Sequence, residues 1–450
     1  MALTRGIRFL SFMIALLFLT TGCMSGEHEK QQETKSAIKV MYWDKNGFNS
    51  RYGMTFAMLY PNIDVEVIST QNIRYEEDKD ANQTLLDFIA DNKPDVLMLS
   101  EEQYESMAEQ GRLADLEVLI SRDKFDLKGL VPGITDYIRE RSNGKLFGLA
   151  TDFYSDAIYY NKDLFAEYGI PLPRDRMSWE ELLQLSARFP TDGKEEKRIY
   201  GLRTPYGNDL MEFGQAIGIR HGLSFVDVSK KTVTIDSESW REAFETANKA
   251  IKSGALYEEK RGMESYATYE DYLFRDSFIS GKAAMAMDGN YLVSQIKEAQ
   301  QMNPNKAVRN WDVVTVPVDP NRQDVSMDMS INQIFAISAA SPNKEAAWTF
   351  IRYTNSEEFA KTVSKAGNGN FPLRTQYIAD DEGHNLSAFY SLKPIVSNAF
   401  QDGDKLPKNF FADFRNRMQK EFDAAKEGNQ TIAEALAKLK VSGQQLLASK

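Results

Sequence analysis

Cysteine and histidine are nearly absent from this sequence, which narrows the chemistry that the chain can carry out. Cys23 is the single cysteine among 450 residues, so no disulfide can form within the chain. His221 and His384 are the histidines beyond residue 36, and their wide separation in sequence favours surface or packing roles over a metal site. GxSxG, HExxH and P-loop motifs are missing too, and we expect neither a metal nor another cofactor.

Long apolar runs and excess positive charge are missing from most of the chain. After residue 19, no apolar run approaches the ~20 residues that a membrane-spanning helix needs. The formal net charge is −11, with 54 basic side chains against 65 acidic ones. Such an acidic surface repels phosphate backbones, so nucleic acid is not an expected partner.

The N-terminus has the layout of an export signal. Arg5 and Arg8 precede an apolar run at residues 9–19, and the small residue Gly22 follows it. This order of charged, apolar and small residues predicts a signal peptide at residues 1–22.

Cys23 directly follows this predicted signal. The segment TTGC resembles a lipobox, with Thr20 at a position where that motif usually has an aliphatic residue. We therefore expect a lipidated Cys23 and a polar, flexible tether that together form residues 23–36. A lipoprotein of this kind would be held on the outer face of the bacterial cell membrane.

Apolar strands alternate with helical segments along the rest of the chain. Strands are predicted at residues 38–43, 65–69 and 95–99, with a helix at 84–90. Further strands are predicted at residues 199–204, 282–287, 311–318 and 331–338. The alternation indicates an α/β protein with parallel, doubly wound sheets. Because chains beyond ~250–300 residues usually divide into more than one core, two lobes are expected.

Capping-box spacing predicts where three of the helices begin. The pairs are Ser100 with Gln103, Ser178 with Glu181, and Thr431 with Glu434.

Five segments, in this order, resemble the bacterial extracellular solute-binding proteins of ATP-binding-cassette (ABC) importers. They are residues 94–116, 144–173, 281–291, 331–353 and 431–440. The second segment, which begins GKLFGLATDFYSDAIYYNKDLF, is the most specific match, and its Ala150 stands where many relatives have proline. The resemblance is closest to the carbohydrate-binding, maltose-binding-protein-like branch of the family.

The resemblance implies a two-lobed, periplasmic-binding-protein-like (type II) fold, in which hinge strands join two doubly wound α/β lobes. A protein of this kind is a monomer without enzymatic activity. It closes on a carbohydrate, such as an oligosaccharide, like a flytrap and delivers it to the permease subunits of an ABC transporter.

The resemblance also implies where the chain passes between the lobes. Crossings are expected near residues 149–156, 283–288 and 331–337. Lobe 1 would then consist of residues 37–151 and 285–335, and lobe 2 of residues 152–284 and 336–450.

Candidate ligand-binding residues follow the strands of the first lobe, because ligands of open α/β sheets lie beyond the carboxyl ends of the strands. Trp43, Asp44 and Asn46 follow the first strand, and Glu101 and Glu102 follow the third. Tryptophan offers a flat apolar face to a sugar, and carboxylates can pair with its hydroxyls. The alternatives are that Trp43 is a core residue, and that the two glutamates only complement a helix dipole.

A second group of candidates rests mainly on the resemblance. Asp152 and Tyr154 should face the cleft at the first crossing, and Tyr206 should stack on the ligand from the loop after a strand. Asp288, Asn290 and Tyr291 end the KAAMAMDGNY segment, where the family often has an aromatic ligand contact. The alternatives are that Tyr154 packs on the hinge and that Tyr206 caps a core. Three further residues are weaker candidates: Asn370, Phe371 and Arg374.

The main alternative to a binding protein is a secreted, lipid-anchored glycoside hydrolase or lyase. Such an enzyme needs two carboxylates across the scissile bond, and 65 acidic residues leave that pair open.

Replacing Cys23 tests the anchor. Cys23→Ser should release soluble protein or leave the signal uncut, because the thiol that would carry the lipid is lost. Detergent partitioning and intact-mass analysis of the mature chain check this. An unlipidated Cys23 in the parent protein would contradict the expectation.

Overall fold

The computed structural model describes most of the chain outside its N-terminus. The described residues are 35–74, 80–192, 198–258, 268–366, 369–378, 380, 382–397, 399 and 403–449. The predicted signal peptide, Cys23 and nearly all of the predicted tether lie outside these residues. Within the described ranges, no helix is both long enough and apolar enough to cross a membrane.

The described strands, numbered along the chain, are short apart from β1, β2 and β5. They are β1 Ser36–Tyr42, β2 Ile63–Ser69, β3 Val96–Leu99, β4 Gly148–Ala150, β5 Asp152–Asn161, β6 Val226–Asp227, β7 Thr232–Val233, β8 Met285–Gly289, β9 Trp311–Thr315, β10 Val325–Ser326, β11 Met329–Ser330, β12 Ile334–Ile337, β13 Phe371–Pro372 and β14 Lys393–Pro394.

The described helices range from one turn to about five turns. They are α1 Lys45–Phe48, α2 Met54–Leu59, α3 Ala81–Asn92, α4 Glu101–Glu109, α5 Glu117–Asp123, α6 Ile134–Glu140, α7 Lys162–Glu167, α8 Trp179–Ser186, α9 Leu210–Arg220, α10 Glu238–Ser253, α11 Tyr269–Arg275, α12 Tyr291–Met302, α13 Lys344–Thr354, α14 Glu357–Ala366, α15 Phe410–Lys426 and α16 Ile432–Ala448. A π-helical turn, Asn49–Gly53, joins α1 to α2.

The first sheet has the strand order β2-β1-β3-β12-β4. Strand β1 runs parallel to both β2 and β3, whereas β12 is antiparallel to β3 and β4. The three predicted first-lobe strands are confirmed, and both predicted bonds of the capping box at Ser100 and Gln103 are formed. Because β1, β2 and β3 are parallel, their carboxyl ends lie along one edge of this sheet.

The second sheet is built around β5. Strands β8 and β9 pair antiparallel with its middle and end, and β11 and β13 pair with its start. Side chains of β5 alternate between two buried layers: Ala157 and Tyr159 face one layer, and Ile158 and Tyr160 face the other. The strand predicted at 199–204 is reduced to isolated bridges at Tyr200, Leu202 and Arg203.

Strand pairing corrects the lobe boundaries that the sequence suggested. Residues 285–289, expected in lobe 1, form β8 and pair with residues 156–160 of β5 in the second sheet. Strand β12 crosses the expected boundary at 335/336 but lies wholly in the first sheet, and α13 after it packs on β1 and β12. The expected crossing at 283–288 is therefore wrong, because backbone hydrogen bonds hold that segment inside lobe 2.

Three connections join the two sheets in the structure. The chain passes from β4 to β5 at residues 150–152 and from β11 to β12 at residues 331–333, as two of the expected crossings suggested. The third connection follows α14. There the chain forms β13, which pairs with the start of β5, and the turn Leu386–Phe389 further along packs on β9.

Two glycines on α9 allow this helix to pack closely against α10. Gly214 and Gly218 are one helical turn apart, and the rings of Phe244 and Trp240 lie against them. A Cβ added at either glycine would lie 2.1 Å from the facing ring, well inside van der Waals contact. The helix pair thus depends on glycine at both positions.

Replacing either glycine should destabilise lobe 2. Gly214→Ala or Gly218→Ala should lower the free energy of unfolding by about 1–3 kcal/mol, because the added methyl group overpacks the interface. Alanine gains at most about 1 kcal/mol in helix propensity, which does not offset that strain. Chemical denaturation measures the change, with Gln215→Ala on the same helix as the control. Parent-like stability in both glycine variants would contradict the packing argument.

Candidate functional site

Trp43 lies at the carboxyl end of β1, on the edge of lobe 1 where the parallel strands end. Its side chain is 60% exposed, so the alternative that Trp43 is a core residue is wrong. The Ser69 hydroxyl at the end of β2 donates a hydrogen bond of 2.9 Å to the Trp43 carbonyl and fixes the backbone there. An exposed indole on a fixed backbone is a flat apolar surface that is available to a ligand.

Asp44 and Asn46 follow Trp43 in the sequence, at the start of α1. The Asp44 carboxylate caps α1, accepting backbone hydrogen bonds from Asn46 at 2.8 Å and Gly47 at 2.9 Å through the same oxygen. Its second oxygen and the exposed side chain of Asn46 are not used by that cap. Both residues therefore stay among the candidates.

Glu101 has a structural role. Its carboxylate accepts hydrogen bonds from the Tyr137 hydroxyl at 2.7 Å and from the Ile331 backbone at 3.0 Å, and it pairs with Arg141 at 2.5 Å. These contacts tie the start of α4 to the crossing at 331–333. Glu102 is exposed in the first turn of α4, where a negative charge suits the helix dipole.

Asp152 is buried at the hinge, with 3% of its surface exposed. This burial contradicts the expectation that Asp152 faces the cleft. It pairs with Arg51 of lobe 1 at 2.5 Å, and accepts hydrogen bonds from the Thr151 hydroxyl at 2.6 Å and the Asn370 amide at 3.1 Å. The weaker candidate Asn370 thus belongs to the hinge. Arg374 is also structural, since it is buried and donates to the Asn355 carbonyl at 2.7 Å.

Tyr52 links the first two crossings beside Asp152. Its hydroxyl lies 3.3 Å from the Thr151 hydroxyl and 3.3 Å from the Gln333 amide oxygen. All three connections between the lobes therefore meet at one set of hydrogen bonds.

Two tyrosines form a stacked pair in lobe 2. The rings of Tyr154 and Tyr291 have centroids 6.1 Å apart and planes inclined by 18°, and Tyr291 is 38% exposed. Gly289 leaves room for this arrangement, because a Cβ there would lie 2.2 Å from the Tyr154 hydroxyl. Tyr154 thus packs over Gly289 and beside the partly exposed ring of Tyr291, and its contact with a ligand stays a prediction.

Tyr206 forms a second aromatic surface in lobe 2. Its ring stacks on Phe213 with centroids 5.7 Å apart, and the Arg220 guanidinium lies 5.6 Å from its centroid. The ring is half-buried and packs against the core of lobe 2, which agrees with the alternative of capping a core, and its stacking on a ligand stays a prediction. Burial is the main cause that raises the pKa of Tyr206 to about 12.

Asp288 is held by ion pairing behind Tyr291. Arg203 pairs with Asp288 at 2.6 Å and with Asp276 at 3.1 Å, and the Tyr291 hydroxyl hydrogen-bonds Asp288. Asn290, by contrast, is 1% exposed, and its amide accepts from the Ser155 backbone at 3.1 Å and donates to the Gly369 carbonyl at 2.5 Å. Asn290 therefore fixes the backbone and is removed from the ligand-binding candidates.

A second arginine–aspartate pair lies near Tyr206. Arg220 at the end of α9 holds Asp328, and its Nε lies 2.9 and 3.1 Å from the two carboxylate oxygens. Ser326 donates a further hydrogen bond of 2.9 Å to Asp328. This pair joins α9 to the turn between β10 and β11.

Asp156 shares a strand with Tyr154, and charged groups of both ion pairs act on it. Burial and, second, the negative charge of Asp328 raise the pKa of the Asp156 carboxyl to about 7. A hydrogen bond with Tyr154 and the charge of Arg220 oppose that shift without cancelling it. The group therefore changes its charge near neutral pH.

Sequence reasoning missed several of these charged residues. Asp156 could have been found, since residues two apart on a strand share a face and Tyr154 was a candidate. Arg203, Arg220 and Asp328 carry no local signal, because their partners lie far away in sequence. Among the residues that the structure describes, no cluster of His, Cys, Asp or Glu side chains is arranged to hold a metal ion.

A surface cavity of about 730 Å³ lies at the opposite edge of the first sheet, at the amino ends of β1 and β3. Its buried carboxylate, Asp95, is fully used, because it accepts from the Lys39 backbone, the Ser341 hydroxyl and the Asn343 amide. None of the described residues that line this cavity is aromatic, and we do not place the ligand there.

Comparison with known proteins agrees with this architecture. The family model of bacterial extracellular solute-binding proteins matches residues 32–361, and the chain belongs to this family. A maltooligosaccharide ABC transporter solute-binding lipoprotein of Streptococcus pneumoniae is 25% identical over 340 residues, which cover 72% of this chain and 69% of the relative. An sn-glycerol-3-phosphate-binding periplasmic protein of Shigella flexneri is 21% identical over 313 residues, covering 68% of this chain and 65% of the relative.

Solved structures show the same fold. An open conformation of a sugar transporter from Rhizobium etli superposes with a TM-score of 0.65 at 20% identity, covering 92% of this chain and 100% of that one. The chain thus has the two-lobed fold of solute-binding proteins.

The raised pKa of Asp156 makes the stability of the fold depend on pH. The folded state binds this proton more tightly than the unfolded chain does, where an aspartate has a pKa of about 3.9. The resulting stabilisation is fully present below about pH 4 and is lost as the pH rises through about 7.

Asp156→Asn should therefore flatten the decline of Tm between about pH 5 and about pH 8, because the variant has no proton to lose there. Thermal unfolding across that range measures the slope. Asp64→Asn, at an exposed position on β2, is the matched control and should keep the parent slope. An Asp156→Asn slope equal to that of the parent would show that Asp156 does not titrate near neutral pH.

Proposed function

We propose that this protein captures a carbohydrate in the cleft between its lobes and delivers it to the permease subunits of an ABC importer. Family membership supports a binding protein, and the names of the relatives point to sugars and related polyols as ligands. We further propose that the protein acts as a monomer without catalysing a reaction, and that a lipid on Cys23 anchors it to the outer face of the membrane.

The observation that carries the proposal is the set of aromatic surfaces on the two lobes. Trp43 is exposed on lobe 1, while the Tyr154–Tyr291 pair and Tyr206 lie on lobe 2. Sugar rings present C–H surfaces that stack on such side chains. The charged side chains around the tyrosines supply polar groups for the hydroxyls between those faces.

Closure of the two lobes would follow from ligand contacts on both of them. A ligand drives a conformational change only by as much as it prefers the closed state, so contacts to one lobe would bind without closing. Trp43 on one lobe and Tyr206 on the other meet that requirement. The crossings at 150–152 and 331–333 are the segments about which the lobes would turn.

The charge arrangement favours binding over glycoside hydrolysis. A hydrolase needs one carboxyl group as acid and a second as nucleophile or base, both accessible to the substrate. Asp288 and Asp328 are each engaged by an arginine, which leaves Asp156 without such a partner among the described residues of this region. Incubation with a glycan panel should accordingly return every glycan chemically unchanged.

Removal of the aromatic surfaces tests the cleft. Trp43→Ala, Tyr206→Ala and Tyr291→Ala should each weaken binding about tenfold or more, in line with stacking losses of order 1–3 kcal/mol on aromatics. A thermal-shift screen over mono- and oligosaccharides identifies the ligand, because a ligand that binds only the folded state raises Tm. Calorimetry then compares the variants. Tyr168→Ala, another partly exposed tyrosine, stacked edge-on against Phe189 next to α7, is the control and should bind as the parent does.

The same ligand should change the shape of the protein. Small-angle scattering should show a smaller radius of gyration with ligand, together with a single saturable change in tryptophan fluorescence. Binding within twofold of the parent in all three variants would contradict the placement of the site. Tight binding without compaction would contradict closure, and an altered product would favour the hydrolase.

A further inference from the structure

We infer that the cleft selects uncharged saccharides over anionic ones such as uronic acids and sugar phosphates, and that Asp156 sets this selection. The inference rests on the proposed function, since it concerns the ligand of the same cleft. It is argued from the charges that surround the aromatic surfaces of lobe 2.

The arginines of this region are already committed to carboxylates. Arg203 pairs with Asp288 at 2.6 Å and with Asp276 at 3.1 Å, and Arg220 holds Asp328 through two of its nitrogens. An anionic ligand would have to compete with these carboxylates for either guanidinium. Breaking a buried pair leaves an uncompensated charge, which is strongly unfavourable.

Asp156 adds a carboxyl group that has no cationic partner within 4.0 Å among the described residues. The ionisable groups around it come from four parts of lobe 2. They are Tyr154 on its own strand, Asp288 on β8, Asp328 between β10 and β11, Arg220 at the end of α9, and Tyr206 in the loop before α9. With all carboxylates ionised, the four aspartates outnumber the two arginines of the region. The local field is therefore negative.

Asp156 can meet an uncharged ligand in either protonation state. Below about pH 7 its carboxyl can donate a hydrogen bond to a sugar hydroxyl, and above that pH its carboxylate can accept one. An anionic ligand should bind more weakly when Asp156 is ionised, because the two negative charges repel each other in a partly desolvated site. Discrimination against anions should therefore be larger at about pH 8 than at about pH 6.

The negative charge around Asp156 would suit a different ligand from the one for which one relative is named. The relative from Shigella flexneri is named for sn-glycerol 3-phosphate, an anionic ligand. A site for such a ligand needs cationic side chains that face it, whereas the two arginines described above are turned to aspartates of their own chain.

The test uses matched pairs of uncharged and anionic probes. Maltotriose, cellotriose and xylotriose are compared with their terminal uronic-acid counterparts, and glycerol with sn-glycerol 3-phosphate, by thermal shift and calorimetry on the full-length chain. Uncharged probes that bind should exceed their anionic counterparts by about tenfold or more at about pH 8, and by less at about pH 6. The comparison between the two pH values uses the uronic-acid pairs alone, because a phosphate monoester has a second pKa of about 6 and changes its own charge in this range. For these pairs, Asp156→Asn should tighten binding of the anionic counterpart about tenfold at about pH 8 and remove the pH dependence of the ratio.

The controls separate this inference from the proposed function. Asp64→Asn removes the same unit of charge from the exposed surface of lobe 1 and should leave the ratio unchanged. Cooperative unfolding of both variants shows that each is folded. An anionic probe that binds as tightly as its uncharged counterpart, or a ratio that Asp156→Asn does not change, would overturn the selection while the carbohydrate function stands. Failure of every probe to bind would count against the proposed function, and the selection would fall with it.

Discussion

The carboxylate of Asp152 is the point on which the two-lobed arrangement depends. It binds Arg51 of lobe 1, the Thr151 hydroxyl of the first crossing and the Asn370 amide of the third connection, and Tyr52 extends these bonds to Gln333 in the second crossing. A buried carboxylate is stable only when charged and polar partners surround it. These partners come from all three connections between the lobes, so one set of contacts holds the connections together.

Strand β5 connects this hinge to the candidate residues of lobe 2. It begins with Asp152, carries Tyr154 and Asp156 on the same face, and then enters the core of lobe 2 with Ile158 and Tyr160. The residues proposed to contact ligand are thus two and four positions from the residue that holds the crossings. In the proposed function, a ligand that moved Tyr154 or Asp156 would act on the hinge through this short paired strand, which would couple ligand binding to closure.

Local patterns predicted what depends on local physics. The strands at 38–43, 65–69 and 95–99 and the three capping boxes form as expected, because burial and cap hydrogen bonds involve near neighbours. The exposure of Trp43 followed from its position after a strand. The assignment of residues 285–335 failed because an apolar strand such as β8 carries no mark of the sheet that it joins, and pairing with β5 is a long-range choice. Asp152 and Asn290 looked like ligand contacts for a similar reason, since Arg51, which pairs with Asp152, is 101 residues away and Gly369, which accepts from Asn290, is 79 residues away.

The charges around the proposed cleft are a property of the tertiary structure and of no single segment. Arg203, Asp288, Arg220, Asp328 and Asp156 come from separate elements, and each looks like an ordinary polar residue in its own stretch of sequence. Burying two arginine–aspartate pairs adds little net stability, because the desolvation penalty offsets most of the attraction between the charges. The pairs fix the positions of the aspartates, and they leave neither guanidinium group free to bind an anionic ligand. In the inference drawn above, the carboxyl group of Asp156, which has no arginine bound to it among the described residues, then sets the charge that a ligand would meet beside Tyr154.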